Sequence, residues 1–271
     1  MPTFVEVALR ATVLCPLPVQ VQRVLELANA PSPDLHHLGS EIRKDPALTT
    51  SVLQLANGAS QGLREPLTDV HRAVVRIGLA EIQNVAMAHA MVAAFASRHE
   101  RSGLVHARCV VAGTVARELS FATGLSASDA YLAGLLSELG SLVCLAVDGD
   151  AYEPHVEAPL EERGRREREL YGATSRSIGA RVLAFHGLPP TLIEAVRVED
   201  DEPAEALGRV VRFCRAGADA LIARAEVGVL RDEMLGLLTQ WAARDELDVD
   251  PENAWSVLVA AGAEVGRSLT A

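Results

Sequence analysis

The stretch Ala133-Gly134-Leu135-Leu136-Ser137-Glu138-Leu139-Gly140 lies inside an apolar run from Ala130 to Val147. The run is long enough to tempt a membrane reading, but Ser137, Glu138 and Ser141 would each need a partner in lipid. The run therefore predicts a buried core helix. Ser126-Ala127-Ser128-Asp129 has capping-box spacing ahead of it, and Gly140 is expected to interrupt the apolar run from Tyr131 to Leu145 without ending it. No segment shows sustained period-two alternation, and no internal repeat is visible, so the chain reads as all-α.

Composition agrees. The chain has 271 residues, 49% of them apolar but only 4% aromatic, and the surplus of Ala, Leu and Val suits close-packed helices. A formal charge of −11 argues against a nucleic-acid partner, which needs a basic face to displace counterions. Lys44 is the sole lysine among many arginines, a compositional bias without chemistry. Cys15, Cys109, Cys144 and Cys214 stand far apart without a C-x-x-C spacing, which predicts free thiols in a reducing compartment. No basic segment leads into an apolar stretch and cleavage site, so neither a signal peptide nor membrane insertion is expected.

Outward from the central run, helix punctuation is frequent. Asp45-Pro46 is an N-cap and first-turn pair before Leu48, Val52, Leu55 and Ala56, and that helix stops at Asn57-Gly58, where Asn57 can satisfy backbone groups or adopt a left-handed conformation. Thr68 is expected to cap the next helix, whose stripe of Val70, Ala73, Val74 and Ile77 ends at Gly78. A further helix runs from about Ala80 to Ala96. The polar segment Arg98–Gly103 marks a seam between an N-terminal lobe, 1–100, and a C-terminal lobe, 101–271. Val105 to Leu119 reads as a helix, and Asp148 to Pro159 as a loop. Glu161 to Leu170 reads as an Arg/Glu-rich helix whose charges form a solvated face. Ser175 to His186 is a helix that ends at Gly187. Glu199, Asp200, Asp201 and Glu202 with Pro203 make an acidic break, and Asp250-Pro251 opens the last helix. Trp241 and Trp255 are core aromatics, or interface anchors if exposed.

Several segments together resemble the HDOD family, a bacterial signalling module related to the HD metal-dependent phosphohydrolases. They are Leu17-Pro18, Lys44-Asp45-Pro46-Ala47-Leu48, Leu55-Ala56-Asn57, Ile77-Gly78-Leu79, Val105-His106, the 133–140 stretch, and Gly179 with Gly187-Leu188-Pro189-Pro190. The resemblance implies two packed helical lobes, the C-terminal one of the HD-phosphohydrolase type. It also implies a cytoplasmic bacterial protein with a role in signal transduction.

The related hydrolases hold divalent metal with an initial histidine, a His-Asp pair and a later aspartate. Here the pair is replaced by Ser137-Glu138, and serine is a poor ligand for such a metal. The resemblance also sets Ser175 and Glu199-Asp200 where histidines often stand in the family. His106 survives, and one imidazole cannot assemble a catalytic metal centre. The expected protein is therefore not an enzyme, carries no metal or cofactor, and works by binding a protein partner; its oligomeric state is not readable.

His106, Ser137, Glu138, Ser175, Glu199 and Asp200 are the candidate residues of a vestigial pocket, with Asp45, Pro46, Asn57 and Gly78 structural. Glu138 has two readings, a buried carboxylate satisfied by an arginine, His106 or water, or a residue that contacts a ligand. Two other functions stay open. One is a phosphohydrolase that uses His106, Glu138 and Glu199-Asp200 to hold Mg²⁺ or Mn²⁺. The other is a nucleotide receptor in which Arg176 or Arg181 pairs with phosphate. His36-His37, with only Asp34 nearby, makes a poor transition-metal site.

Overall fold

The computed structural model describes residues 6–7, 10, 19–58, 66–96, 99–200, 202–224 and 231–270, and among these there are helices, turns and no strand. Backbone contacts divide the chain into two compact units, Cys15–Ala94 and a larger one formed by Phe95–Ala271 with Met1–Leu14. Leu17-Pro18 and Cys15 lie outside the described residues.

The smaller unit contains α1 (Val19–Ala28), α2 (Leu35–Ile42), α3 (Pro46–Gly58), α4 (Val70–Ile77) and most of α5 (Leu79–Ala96). Leu38, Ile42, Leu48, Val52, Leu55 and Val74 are its buried core. Helix α2 starts where the Asp34 carboxylate accepts from the His36 and His37 amides, and α3 starts where Asp45 accepts from Leu48 N at 3.1 Å, so both ends are capped by side chains. Helix α4 is capped by Asp69, one residue later than Thr68, because the extended Asp69 backbone aims its carboxylate at Arg72 N, 2.9 Å away.

Asn57 satisfies backbone groups as expected, but from within α3 rather than as a left-handed residue. It stays helical in α3 and clamps the Leu67 backbone in both directions, donating to Leu67 O at 3.0 Å and accepting from Leu67 N at 2.6 Å. Gly78, at φ 90°, turns the chain from α4 into α5 and returns its N–H to Val74 O. Across α2 and α4, His71 lies so close over Gly39 that a Cβ there would come within 2.3 Å of its ring. His36 stacks on His71 at 4.4 Å, and Arg43 Nη2 lies 2.8 Å from His71 Nε2. The His36-His37 region is thus a packing contact.

The larger unit runs through α6 (Ser102–Thr123), α7 (Ala127–Leu136), α8 (Leu139–Asp148), a 3-10 turn (Gly149–Ala151), α9 (Glu153–Val156), α10 (Leu160–Tyr171), α11 (Ser175–Phe185), α12 (Pro190–Arg197), α13 (Ala206–Arg224), α14 (Arg231–Arg244) and α15 (Pro251–Thr270). Ser126 caps α7 by accepting from Asp129 N, and Asp250 caps α15 through Glu252 N and Asn253 N. The central apolar run does not continue through as one helix. It divides at Ser137 and Glu138, and Gly140 lies inside α8. Within Ala127–Ala151, 94% of the apolar 18-residue window is buried inside the protein, which accounts for its hydropathy.

Two glycine contacts set the helix crossings around this break. A Cβ on Gly134 would lie 2.6 Å from Ala112 O and 2.7 Å from Gly113 Cα, so α6 and α7 meet backbone to backbone. A Cβ on Gly140 would lie 1.7 Å from Ser175 O, and one on Gly179 would meet Gly140 N at 2.9 Å, so α8 and α11 do the same. Only glycine permits such an approach. The core beside α6 gathers Val111, Val115, Leu119, Phe213, Leu238 and Leu258, with Trp241 and Trp255 partly buried against it.

Candidate functional site

The break between α7 and α8 lets Glu138 leave the helical ladder and turn its side chain into the larger unit, where it is 4% exposed. Its Oε2 accepts from Ser141 Oγ at 2.8 Å and faces Arg163 Nη1 at 3.5 Å, while Oε1 faces Arg215 Nε at 3.8 Å. Arg163 belongs to α10, which corrects the reading of that helix as a uniformly solvated face. Arg163 and Glu167 are buried, because positions 163, 167 and 171 repeat at four-residue spacing on the side that carries Tyr171.

Arg163 is the hub of the arrangement. Its Nη2 reaches Asp219 Oδ1 at 2.7 Å and the Val156 and Ala158 carbonyls at 3.2 Å, and its Nε reaches His155 O at 3.0 Å. Arg108 approaches the same Asp219 oxygen at 3.2 Å and donates to Val156 O. Two buried carboxylates, Glu138 and Asp219, therefore share one guanidinium.

A second bridge extends the network to the acidic break. Arg215 Nη2 bonds Asp200 Oδ1 at 2.7 Å, and Arg176 Nη2 bonds Asp200 Oδ2 at 2.6 Å. Glu199 accepts from Thr174 Oγ1 and pairs with Arg176 at 3.5 Å. Arg212 holds the segment from beneath through the carbonyls of Glu199, Asp200 and Glu202 and through the fully buried Asp245. On the other side, Ser141 Oγ lies 3.4 Å from Ser175 Oγ, Ser175 N donates to Glu167 Oε2, and Tyr152 donates its hydroxyl to Glu167 Oε1 at 2.5 Å.

The electrostatics follow the charge pairing. Burial opposes ionisation of Glu138, yet Arg163, Arg215 and Arg108 hold its carboxyl below the ordinary range. Burial likewise opposes ionisation of Asp200, but Arg215 and Arg176 pull it down to about 2. Arg215 itself is lowered, first by burial and then by its arginine neighbours Arg176 and Arg163. Arg163 moves the other way: Glu138 and Asp219 outweigh its burial and hold the guanidinium above its ordinary range.

Of the six candidate pocket residues, Glu138, Ser175, Glu199 and Asp200 join this one network. Ser137 is buried beside it, its Oγ without a hydrogen-bond partner among the described residues. His106 stands apart. Burial lowers its pKa, and no charged neighbour contributes.

A divalent metal does not fit here, because the space between Glu138 and Asp219 is spanned by a guanidinium and no imidazole joins them. Elsewhere among the described residues, donor atoms of His99, Asp150 and Glu153 lie within 4.8 Å of one another. Arg101 competes for that trio. Its backbone N–H donates to His99 Nδ1 and its Nε bonds Glu153 at 2.9 Å, which leaves the neutral ring's proton on the nitrogen that faces Asp150.

Arg163, Arg108, Arg215 and Asp219 escaped the sequence reading. A faint signal existed for part of the set, since Arg212, Arg215 and Asp219 form a polar stripe at three- and four-residue spacing in the otherwise apolar α13.

The model of the HDOD domain family matches residues 14–202. The chain belongs to the HDOD family. An uncharacterized protein of Treponema pallidum (strain Nichols) is 31% identical to this HDOD chain over 127 residues, 46% of the chain and 24% of that protein. The alignment thus spans about a quarter of the relative's length.

Among solved structures, a Shewanella amazonensis SB2B protein with a provisional phosphohydrolase name superposes with a TM-score of 0.65 at 24% identity, covering 97% of this chain and 98% of that one. An HDOD domain protein of unknown function from Geobacter sulfurreducens gives 0.59 at 19% identity, over 96% and 94%. A provisionally named signal transduction protein from Marinobacter aquaeolei VT8 gives 0.52 at 20% identity, over 93% of this chain and 59% of that one. These likenesses establish a shared helical fold of the HD-phosphohydrolase kind.

Proposed function

We propose that this HDOD chain is a non-catalytic bacterial regulator, working in the cytoplasm in signal transduction by binding a protein partner. The observation that carries the reading is Arg163 set between Glu138 and Asp219. This fixed cation of the protein's own fills the space between the two carboxylates and is tied to three backbone carbonyls besides, which supports a site without a resident ion. The signalling name of the Marinobacter relative and the HDOD family match support the regulatory half of the reading.

A hydrolase with a reassigned site would need His106, Glu138 and Glu199-Asp200 to converge on Mg²⁺ or Mn²⁺. Among the described residues the Glu138 and Asp200 carboxylates are bridged by Arg215, and those of Glu199 and Asp200 by Arg176.

The test is to dialyse the full chain against Mn²⁺, measure bound metal, and assay p-nitrophenyl phosphate and bis(p-nitrophenyl) phosphate. The expected result is substoichiometric metal and turnover no greater than that of Glu138→Ala. Stoichiometric metal with turnover that Glu138→Ala abolishes would overturn the reading. On the partner side, a signalling protein recovered with the chain from its native cell should rebind it when both are pure.

A further inference from the structure

Beside the buried network, on its outer side, α10, α13 and α14 enclose a cleft of about 460 Å³, a volume in the range of small-ligand sites. Asp219, Asp200, Trp241 and Leu160 line it, together with the cations Arg165, Arg168 and Arg244. We propose that this cleft binds a nucleoside phosphate, with the base against Trp241 and Asp219 and the phosphate among Arg165, Arg168 and Arg244.

Four observations converge on that class. Asp219 spends only Oδ1 on Arg108 and Arg163, so the network fixes the carboxylate while Oδ2 stays available to accept from a ligand N–H. An indole wall suits a flat heterocycle, and every nucleobase has such a face. Arg165 and Arg168 are held only by loose contacts, an exposed i,i+4 pair with Glu169 and a 3.8 Å approach to Glu199. Exposed pairs of this kind contribute little, so both guanidiniums can turn to a phosphate.

The fourth observation is Gly164, inside α10 and on the cleft wall. A Cβ there would meet nothing nearer than 3.7 Å, so helix packing does not demand a glycine that the helix interior disfavours. What its missing side chain provides is room. A metal ion is the poorer occupant, because Asp200 and Asp219 are each already matched by two guanidiniums.

The inference is independent of the adaptor reading and uses none of the residues proposed for a hydrolase except Asp200. The experiment is calorimetry on the unmodified full chain with AMP, CMP, GMP and UMP, and with guanosine and inorganic phosphate as half-ligands. Quenching of Trp241 fluorescence in a Trp255→Phe background serves as a second readout. Saturable binding of at least one nucleotide is expected, with the matching nucleoside and free phosphate each at least about tenfold weaker. Gly164→Leu, which fills the cleft, should abolish it, and Arg168→Gln should weaken it with the nucleoside unaffected. No saturable heat from any of the four at millimolar concentration would overturn the proposal. So would phosphate binding as tightly as the nucleotide, or Gly164→Leu binding unchanged.

Discussion

Glu138 shows how much of a buried network can rest on a single side chain. Truncating it would leave Arg163 and Arg215 short of a counter-charge in a dry interior. Loss of one partner of a buried pair costs about 3–5 kcal/mol, so Glu138→Ala should lower the unfolding free energy by that much, and a loss under about 1 kcal/mol in urea titration would contradict the geometry. Asp200 makes a pH statement. Its folded pKa of about 2 lies below the unfolded value of 3.8, so its contribution is fully present above pH 4 and fades as pH falls from there toward 2. The contribution amounts to at most about 2 kcal/mol. Asp200→Asn should flatten the acid limb of the stability curve in that window and leave the slope between pH 6 and 8 unchanged.

Helices in this chain announce their starts in the sequence and conceal their partners. Asp45, Ser126 and Asp250 cap as read, because a cap bonds an amide two or three residues away. Thr68 and Asp69 compete for the same role within one residue, and spacing alone could not choose between them. The pairing of Arg163 with Asp219 spans 56 residues and leaves no periodicity to detect. A charge-rich sequence such as that of α10 looks solvated until the side facing the core is known. Crossings are just as silent. Gly140→Ala would drive a Cβ into the Ser175 carbonyl, so it should destabilise by at least about 3 kcal/mol and break the Ser175–Glu167 bond. Gly164→Ala should do the opposite and stabilise by about 0.5–1 kcal/mol, measured by the same urea titration. Two glycines in similar-looking helices are thus expected to differ in sign.

At the scale of the whole molecule, the all-α class and the family were legible from composition and from the ordered motifs, since both are properties of many residues at once. The candidate site was legible only as a list of substitutions. Ser137-Glu138 could be set against the His-Asp pair of the related hydrolases, whereas the arginines that organise the interior could not be read. Thiols offer a global check. Cys109, Cys144 and Cys214 are buried and free, and burial pushes all three well above the ordinary thiol range. In native buffer no more than one of the chain's 4 cysteines, Cys15, should react with Ellman's reagent, and all four should react in guanidinium. Native labelling at any of the other three would show a looser interior.

The guanidinium between Glu138 and Asp219 also ties the evolution of three positions together. Exchanging Arg163 alone would bring two buried acids face to face, and exchanging either acid alone would leave the guanidinium short of charge. Substitutions at 138, 163 and 219 are therefore expected to be tolerated in concert rather than one at a time, a form of epistasis written into the interior.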